Sequence, residues 1–215
     1  QPVASLAAIS HKSPETIRDM FRKHRDGSYS LTFYGKTRSL LSAASEFKAK
    51  TVRVDNQFPV DSSGSPIFAG VNDRRKSAPE LWVMLAEKGF AAFRGSYVDI
   101  GFGGRSDQAM EHITGVRSER HEPSKLSLDT LAAWDGKGHA ITVGTLPKGT
   151  KGPLYNVRND RPLVPNHVYW VQSVDTARGT VTLANPWGWR TDRVTLTEAE
   201  FRRAIEDVYV NPIRL

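Results

Sequence analysis

The 215-residue chain contains no cysteine. That excludes disulfides, thiolate metal sites and, for the chain as written, a free-thiol nucleophile. It also lacks any run near the roughly 18 apolar residues that a membrane-spanning helix needs. It opens at Gln1 without the basic-then-apolar segment of a secretory signal, so it reads as an excised domain whose targeting information lies elsewhere. Blocks of like charge are missing too: 30 basic residues interleave with 23 acidic ones for a net charge of +7. Clusters such as Arg74-Arg75-Lys76 and Arg202-Arg203 are most simply solvated faces. No nucleic-acid motif accompanies this charge, which argues against nucleic acid as a partner, whereas an acidic protein partner stays compatible through electrostatic steering. No cofactor and no metal are expected. What the chain does have is 39% hydrophobic residues over a length that can bury a full core, as one domain or two intimate lobes.

The most informative stretch runs from Leu163 to Trp189. Two β-rich runs, His167 to Val174 and Thr180 to Ala184, flank a turn at Ala177-Arg178-Gly179, the pattern of a hairpin. His167 opens the first strand and Asn185 closes the second. A hairpin returns the chain to its start, so these two residues become neighbours, offset by a few positions of register. A histidine held by an amide is the base and orienter half of a Cys-His-Asn site: the amide fixes the tautomer and leaves the other ring nitrogen to take a proton from a thiol. The plainer alternative is a hairpin with a satisfied histidine and a Trp-rich turn.

Asn166-His167-Val168-Tyr169-Trp170-Val171 followed by Leu183-Ala184-Asn185-Pro186-Trp187-Gly188-Trp189 resembles the second half of a calpain catalytic core and, more distantly, the Asn-Ser-Trp-Gly segment of papain. A second match is Glu80-Leu81-Trp82-Val83-Met84-Leu85-Ala86-Glu87-Lys88, followed by Gly95-Ser96-Tyr97; Val54-Asp55-Asn56-Gln57-Phe58-Pro59 resembles a turn of the same family. Calpains place their nucleophile at the start of a helix reading Gly-Asp-Cys-Trp-Leu-Leu-Ala-Ala-Ile, where the helix N-terminus lowers the thiol pKa. Here Leu6-Ala7-Ala8-Ile9 matches the end of that pattern. Gapless alignment puts the nucleophile at Val3 and a one-residue shortening puts it at Ala4. Ala4 is preferred, because alanine is the usual replacement when a reactive cysteine is silenced; natural loss of the nucleophile is the competing reading. The family's oxyanion-hole glutamine sits further from its cysteine than Gln1 does from Ala4. Either Gln1 fills that role from an altered position, or the donors lie upstream, or helix-start N–H groups suffice.

Along the rest of the chain, Ser13-Pro14 starts a helix carrying Ile17, Met20 and Phe21 through Lys23. Ser28 to Tyr34 and Thr51 to Val54 alternate as strands, with a possible short helix at Leu40 to Phe47 between them. Pro79 to Ala91 is a core helix with Leu81, Met84, Leu85 and Lys88 on one stripe, and Asp107 to Ile113 a short helix. Arg117 to Ser124 is the passage between lobes, Lys125 to Asp135 a helix and Ile141 to Thr145 a strand. Gly138-His139-Ala140 makes His139 a rival to His167, but no Asn-Pro-Trp-Gly strand follows it directly. Val194 to Leu196 is a strand, Thr197 caps a short helix with Glu200 three residues on, and Val208 to Val210 is the last strand.

The expectation is therefore an α+β, papain-like two-lobed fold. Residues 1–116 form a helical lobe with the nucleophile helix, and residues 117–215 an antiparallel β-rich lobe with His167 and Asn185. The resemblance implies a cysteine endopeptidase, inactive as written, that takes a protein substrate as an extended peptide, with Trp187 shielding the His-Asn bond and Trp189 packing. Calcium activation is not carried over. The compact basic domain also resembles a bacterial effector or toxin tip, delivered into a target-cell cytoplasm and met by an immunity or inhibitor protein. A protease-fold binding module without catalysis is the alternative.

Overall fold

A computed structural model describes residues 2–38, 45–64, 81–101, 104–147, 163–186 and 193–213. In chain order these form α1 (Pro2–Lys12), α2 (Pro14–Asp19), β1 (Phe21–Lys23), β2 (Tyr29–Arg38), β3 (Ser45–Val54), α3 (Leu81–Arg94), α4 (Tyr97–Gly101), α5 (Ser106–Thr114), β4 (Glu119–His121), α6 (Leu128–Gly136), β5 (Ala140–Thr145), β6 (Val168–Asp175), β7 (Thr180–Ala184), β8 (Arg193–Thr197), α7 (Glu198–Ala204) and β9 (Ile205–Asn211). The fold is α+β, with one sheet ordered β1-β2-β3 and another ordered β4-β9-β5-β6-β7-β8.

Two apolar cores follow from these elements. The first gathers Leu6 and Ile9 of α1, Leu31 and Phe33 of β2, Leu85 and Phe90 of α3, and Met110 and Ile113 of α5. The second lies between the large sheet and α6 and α7, around Leu131, Val143, Tyr169, Leu183, Leu196 and Phe201. Ala140 and Tyr209, on strands of the large sheet, join the first core, so that sheet is wetted on neither face at its centre. Gly89 lets α3 lie close on β2: a Cβ there would stand 2.8 Å from a Leu31 methyl.

Several local readings are corrected. The helix expected to run through Lys23 stops at Asp19, because Phe21–Lys23 pairs with Tyr29–Leu31 as an edge strand. Ser13 stands at its N-cap, yet its hydroxyl binds the Glu15 carboxylate and the Thr16 hydroxyl instead of a backbone N–H. Ser45 to Phe47, placed in a short helix by the sequence, is the start of β3 in register with Lys36 to Arg38; residues 39–44 lie outside the described residues. The stretch 1–116, expected to be helical, thus also carries a three-stranded sheet. On α3 the buried side is Met84, Leu85, Ala86, Gly89, Phe90 and Ala91; Leu81 is exposed, and Lys88 pairs with Asp55 and the Gln57 carbonyl. Arg117 to Ser124 is more than a passage, since β4 within it pairs with β9, a partner far along the chain. The threonine cap is present in full: Thr197 Oγ1 accepts from the Glu200 amide while the Glu200 carboxylate accepts from the Thr197 amide.

Candidate active site

The hairpin β6-β7 sets the geometry. Its register places Trp170 opposite Ala184, so Asn185, one residue beyond β7, lies opposite Tyr169 and diagonal to His167, which precedes β6. Diagonal neighbours across an antiparallel pair are within reach of long side chains. His167 Nε2 is 3.0 Å from Asn185 Oδ1. A carboxamide oxygen only accepts, so Nε2 carries the proton and, in the neutral ring, Nδ1 is the basic nitrogen. Asn185 is buried and His167 half-buried. Burial pushes the imidazole below the ordinary 6.5, while the bond to Asn185 works in the other direction. The ring also meets Tyr169 edge-on, with centroids 5.2 Å apart and planes at 90°.

The backbone under His167 is held as firmly as its ring. Thr145 N donates to His167 O at 2.9 Å, and His167 N donates to the Thr145 hydroxyl at 2.9 Å. That hydroxyl reaches the Val164 carbonyl at 2.7 Å, and Val164 N donates to Tyr169 Oη at 3.0 Å. Asn166 has φ of 51°, the left-handed region that asparagine tolerates, and it follows Pro165; Pro then Asn is the residue pattern of a type II turn. Sequence reasoning missed Thr145 and Tyr169 here, although Pro165-Asn166 was a readable turn signal just before the histidine.

His139 sits elsewhere. The register Thr142 opposite Trp170 and Gly144 opposite Val168 puts His167 beside Thr145. His139 is 145 − 139 = 6 residues back along β5, which at ~3.3 Å per residue is about 20 Å away.

Helix α1, part of the first core, packs beside this region. It packs on α5, β5 and β6, and Ser5 Oγ donates to the Ser106 carbonyl at 3.1 Å, while the Ser106 and Thr142 hydroxyls stand 2.8 Å apart. At its C-terminal end Lys12 pairs with Asp135, and His11 Nε2 meets the Gln172 carbonyl at 3.0 Å and the Trp170 ring at 4.9 Å. In the first turn, Ala4 is 0% exposed, whereas Val3 is half-buried. Val3, Ala7 and Ser10, spaced four and three residues apart, form the half-buried stripe of the helix. Gln1 and Trp187, named above as supporting residues, and Trp189 lie outside the described residues.

Among the described residues no group of three or more His, Asp or Glu side chains is arranged to hold a metal ion, and no helix is long and apolar enough to cross a membrane. A depression lined by Pro2, Phe90, Arg94, Asp99, Gln108 and His112 belongs to the first core and includes neither His167 nor Asn185.

With this geometry in view, a sequence profile described as "Calpain family cysteine protease" matches residues 3–194. The "Calpain-type cysteine protease DEK1" of Zea mays is 29% identical over 147 residues, covering 63% of this chain and 6% of the maize protein. The "Calpain-type cysteine protease ADL1" of Oryza sativa subsp. japonica gives the same figures, 29% over 147 residues with 63% and 6% covered. The DEK1 protein of Arabidopsis thaliana is 28% identical over 148 residues, again covering 63% of this chain and 6% of its own length. The chain thus spans about 6% of the length of the curated relatives it matches.

Proposed function

This chain belongs to the calpain family of cysteine proteases, and we propose that it is an endopeptidase domain in which His167 and Asn185 are the base and its orienter, and the nucleophile's place on α1 is taken by another residue. The observation that carries this reading is the 3.0 Å bond between His167 Nε2 and Asn185 Oδ1 at the mouth of a hairpin facing α1. In a thiol-bearing form, Nδ1 of His167 takes the thiol proton and the thiolate attacks a peptide carbonyl. The resulting imidazolium gives that proton to the departing amine, leaving a thioester that a water molecule, deprotonated by the same nitrogen, hydrolyses. Asn185 holds the ring through both transfers. The substrate lies as an extended peptide between the lobes. As written the chain has no thiol and does not run this cycle.

Between the two positions that the sequence offers for the nucleophile, burial favours Val3 over the preferred Ala4. A side chain at 4 has no free surface on which to meet a substrate, while position 3 lies on the accessible stripe and is where the family match begins. Val3→Cys and Ala4→Cys, each with and without His167→Ala, decide the matter. Val3→Cys is expected to react rapidly with iodoacetamide near neutral pH and to cleave an unfolded protein, and His167→Ala to end cleavage. Reactivity confined to Ala4→Cys would move the nucleophile to position 4. If both variants fold and stay inert, the protease reading gives way to a protease-fold binding module, the second reading, which the missing cysteine itself favours.

The effector setting belongs to the same proposal: a thiol-bearing form acting in a target-cell cytoplasm and held in check by an immunity or inhibitor protein seated over the cleft. Its support is the resemblance of a compact basic protease domain to toxin tips. Expressing the active cysteine variant in a bacterial cytoplasm should arrest growth and the His167→Ala form should not; normal growth with an active protease would count against it.

A further inference from the structure

We infer that Thr145 is a positioning residue for His167: its buried hydroxyl bridges the turn before the histidine and so sets where the imidazole stands relative to Asn185. This rests on the proposed role of His167 as the base.

The inference begins from an irregularity in the sheet. Strands β5 and β6 pair regularly up to Gly144 opposite Val168. At the next rung, Thr145 N still donates to His167 O, but His167 N is met by the Thr145 side chain, 2.9 Å away. The same oxygen lies 2.7 Å from Val164 O and 3.1 Å from His167 O. A hydroxyl has one proton to give, and the shorter contact takes it. Val164 and His167 are the first and last residues of the four-residue turn through Pro165 and Asn166. In an ordinary turn of this kind the first carbonyl accepts directly from the last amide. Here the threonine oxygen stands between them, accepting from one and donating to the other, and so it ties the turn to β5.

The ends of the bridge are themselves fixed. Thr145 is 2% exposed, so water does not compete for its hydroxyl. The β5-β9 register shifts between Gly144 and Thr145, so the strand is irregular at the residue that meets the histidine turn. Asn166 N donates to Leu146 O at 3.1 Å, a second tie from the same turn to the residue after Thr145. Tyr169 closes the loop from the other side, accepting from Val164 N while its ring meets the imidazole edge-on. A displacement of the His167 backbone of about 1 Å would stretch a 3.0 Å bond to Asn185 out of range, and misplacements of that size cost about a hundredfold in rate.

The test compares Thr145→Ser, which keeps the hydroxyl, with Thr145→Val and Thr145→Ala, which remove it. The first readout is the nitrogen spectrum of the His167 ring in the otherwise unaltered chain, assigned by its loss in His167→Gln. Parent and serine variant should show the Nε2-H tautomer and a titration midpoint below that of a free histidine. In folded valine or alanine variants the tautomer preference should weaken and, because the bond to Asn185 opposes the effect of burial, its loosening should move the midpoint further below the ordinary value. In whichever cysteine variant is active, the same substitutions should lower kcat about ten- to a hundredfold with KM within about twofold. An unchanged His167 tautomer and midpoint in a folded valine or alanine variant would overturn the inference. So would loss of fold in both, which would make Thr145 a purely structural residue. If neither cysteine variant cleaves anything, the protease reading fails alone, because the ring spectrum tests the bridge without it.

Discussion

The two walls that face each other across this molecule are made in different ways. The histidine wall is polar and indexed by hydrogen bonds: ring to Asn185, amide to Thr145, turn to Tyr169. The opening turns of the helix wall are apolar and indexed by volume, with Pro2, Ala4, Leu6, Ala8 and Ile9 buried and one hydroxyl contact from Ser5, its other polar ties, from His11 and Lys12, lying at the far end. Directional bonds hold an angle; close packing holds a distance. In the proposed mechanism a base that presents one ring nitrogen needs the first, and a helix that keeps one residue of its opening turn accessible needs only the second.

Substitutions and a change of pH probe these two kinds of restraint. The largest effect is expected on the polar wall: Asn185→Ala in an active cysteine variant should reduce kcat about a hundredfold, equivalent to about 2.7 kcal/mol, with little loss of stability. Steady-state kinetics beside a melting curve checks this, and a kcat within twofold of the parent would remove the amide from the mechanism. Next comes packing. Ala4→Leu should destabilise by about 1–3 kcal/mol, because the site is enclosed, whereas Val3→Leu on the accessible stripe should stay within about 0.5 kcal/mol. Equal denaturant midpoints for the two would erase the distinction drawn between positions 3 and 4. Ser5→Ala is expected to cost about 1 kcal/mol by taking a donor from the buried Ser106 carbonyl while leaving the His167 ring spectrum unmoved. A change in that spectrum would show that the two walls are less independent than their bonds suggest.

The smallest effect is a pH dependence of the fold as a whole. His11, His112, His139 and His167 are each pushed below the ordinary 6.5, in every case first by burial. The folded chain therefore holds them neutral while the unfolded chain takes protons at its ordinary value, so acid favours unfolding. Their contribution is intact above about pH 6.5 and is lost as pH falls below it toward the depressed folded values. Tm should drop by a few degrees between pH 7.5 and 5.5, at about 2–4 °C for each kcal/mol lost. His112→Gln should flatten that slope, since His112 Nδ1 donates to the Tyr34 carbonyl and its other nitrogen faces Arg94 at 3.4 Å. A Tm that holds level across this range would mean that the imidazoles lose little on burial.

What could be read from the sequence followed the same division. The hairpin was legible because its signals are local: two alternating runs, the turn closed by Gly179 at φ 64°, and an amide at the strand end. The register shift between Val171 and Ser173 was not, because a bulge is decided by both strands at once. Phe21 to Lys23 carries helix-compatible spacing, and only its pairing with β2 makes it a strand; β4 is settled by β9, some ninety residues later. Thr145 looked like an ordinary strand-end threonine. Its bond to His167 spans 22 residues that no pattern in the chain announces.

Strand β5 has a consequence for how accurately the two walls can face each other. Thr142 meets Ser106, which in turn receives Ser5 of the helix, and Thr145 meets the histidine turn. The two threonines are three residues apart, about 10 Å on a strand that rises ~3.3 Å per residue and is already fully extended. Both walls are thus gauged from marks on one inextensible ruler, and errors in the loops that join them do not add to the spacing between them. Insertions in those loops should leave the distance from helix to imidazole unchanged, while a single-residue slip of β5 would displace both faces together.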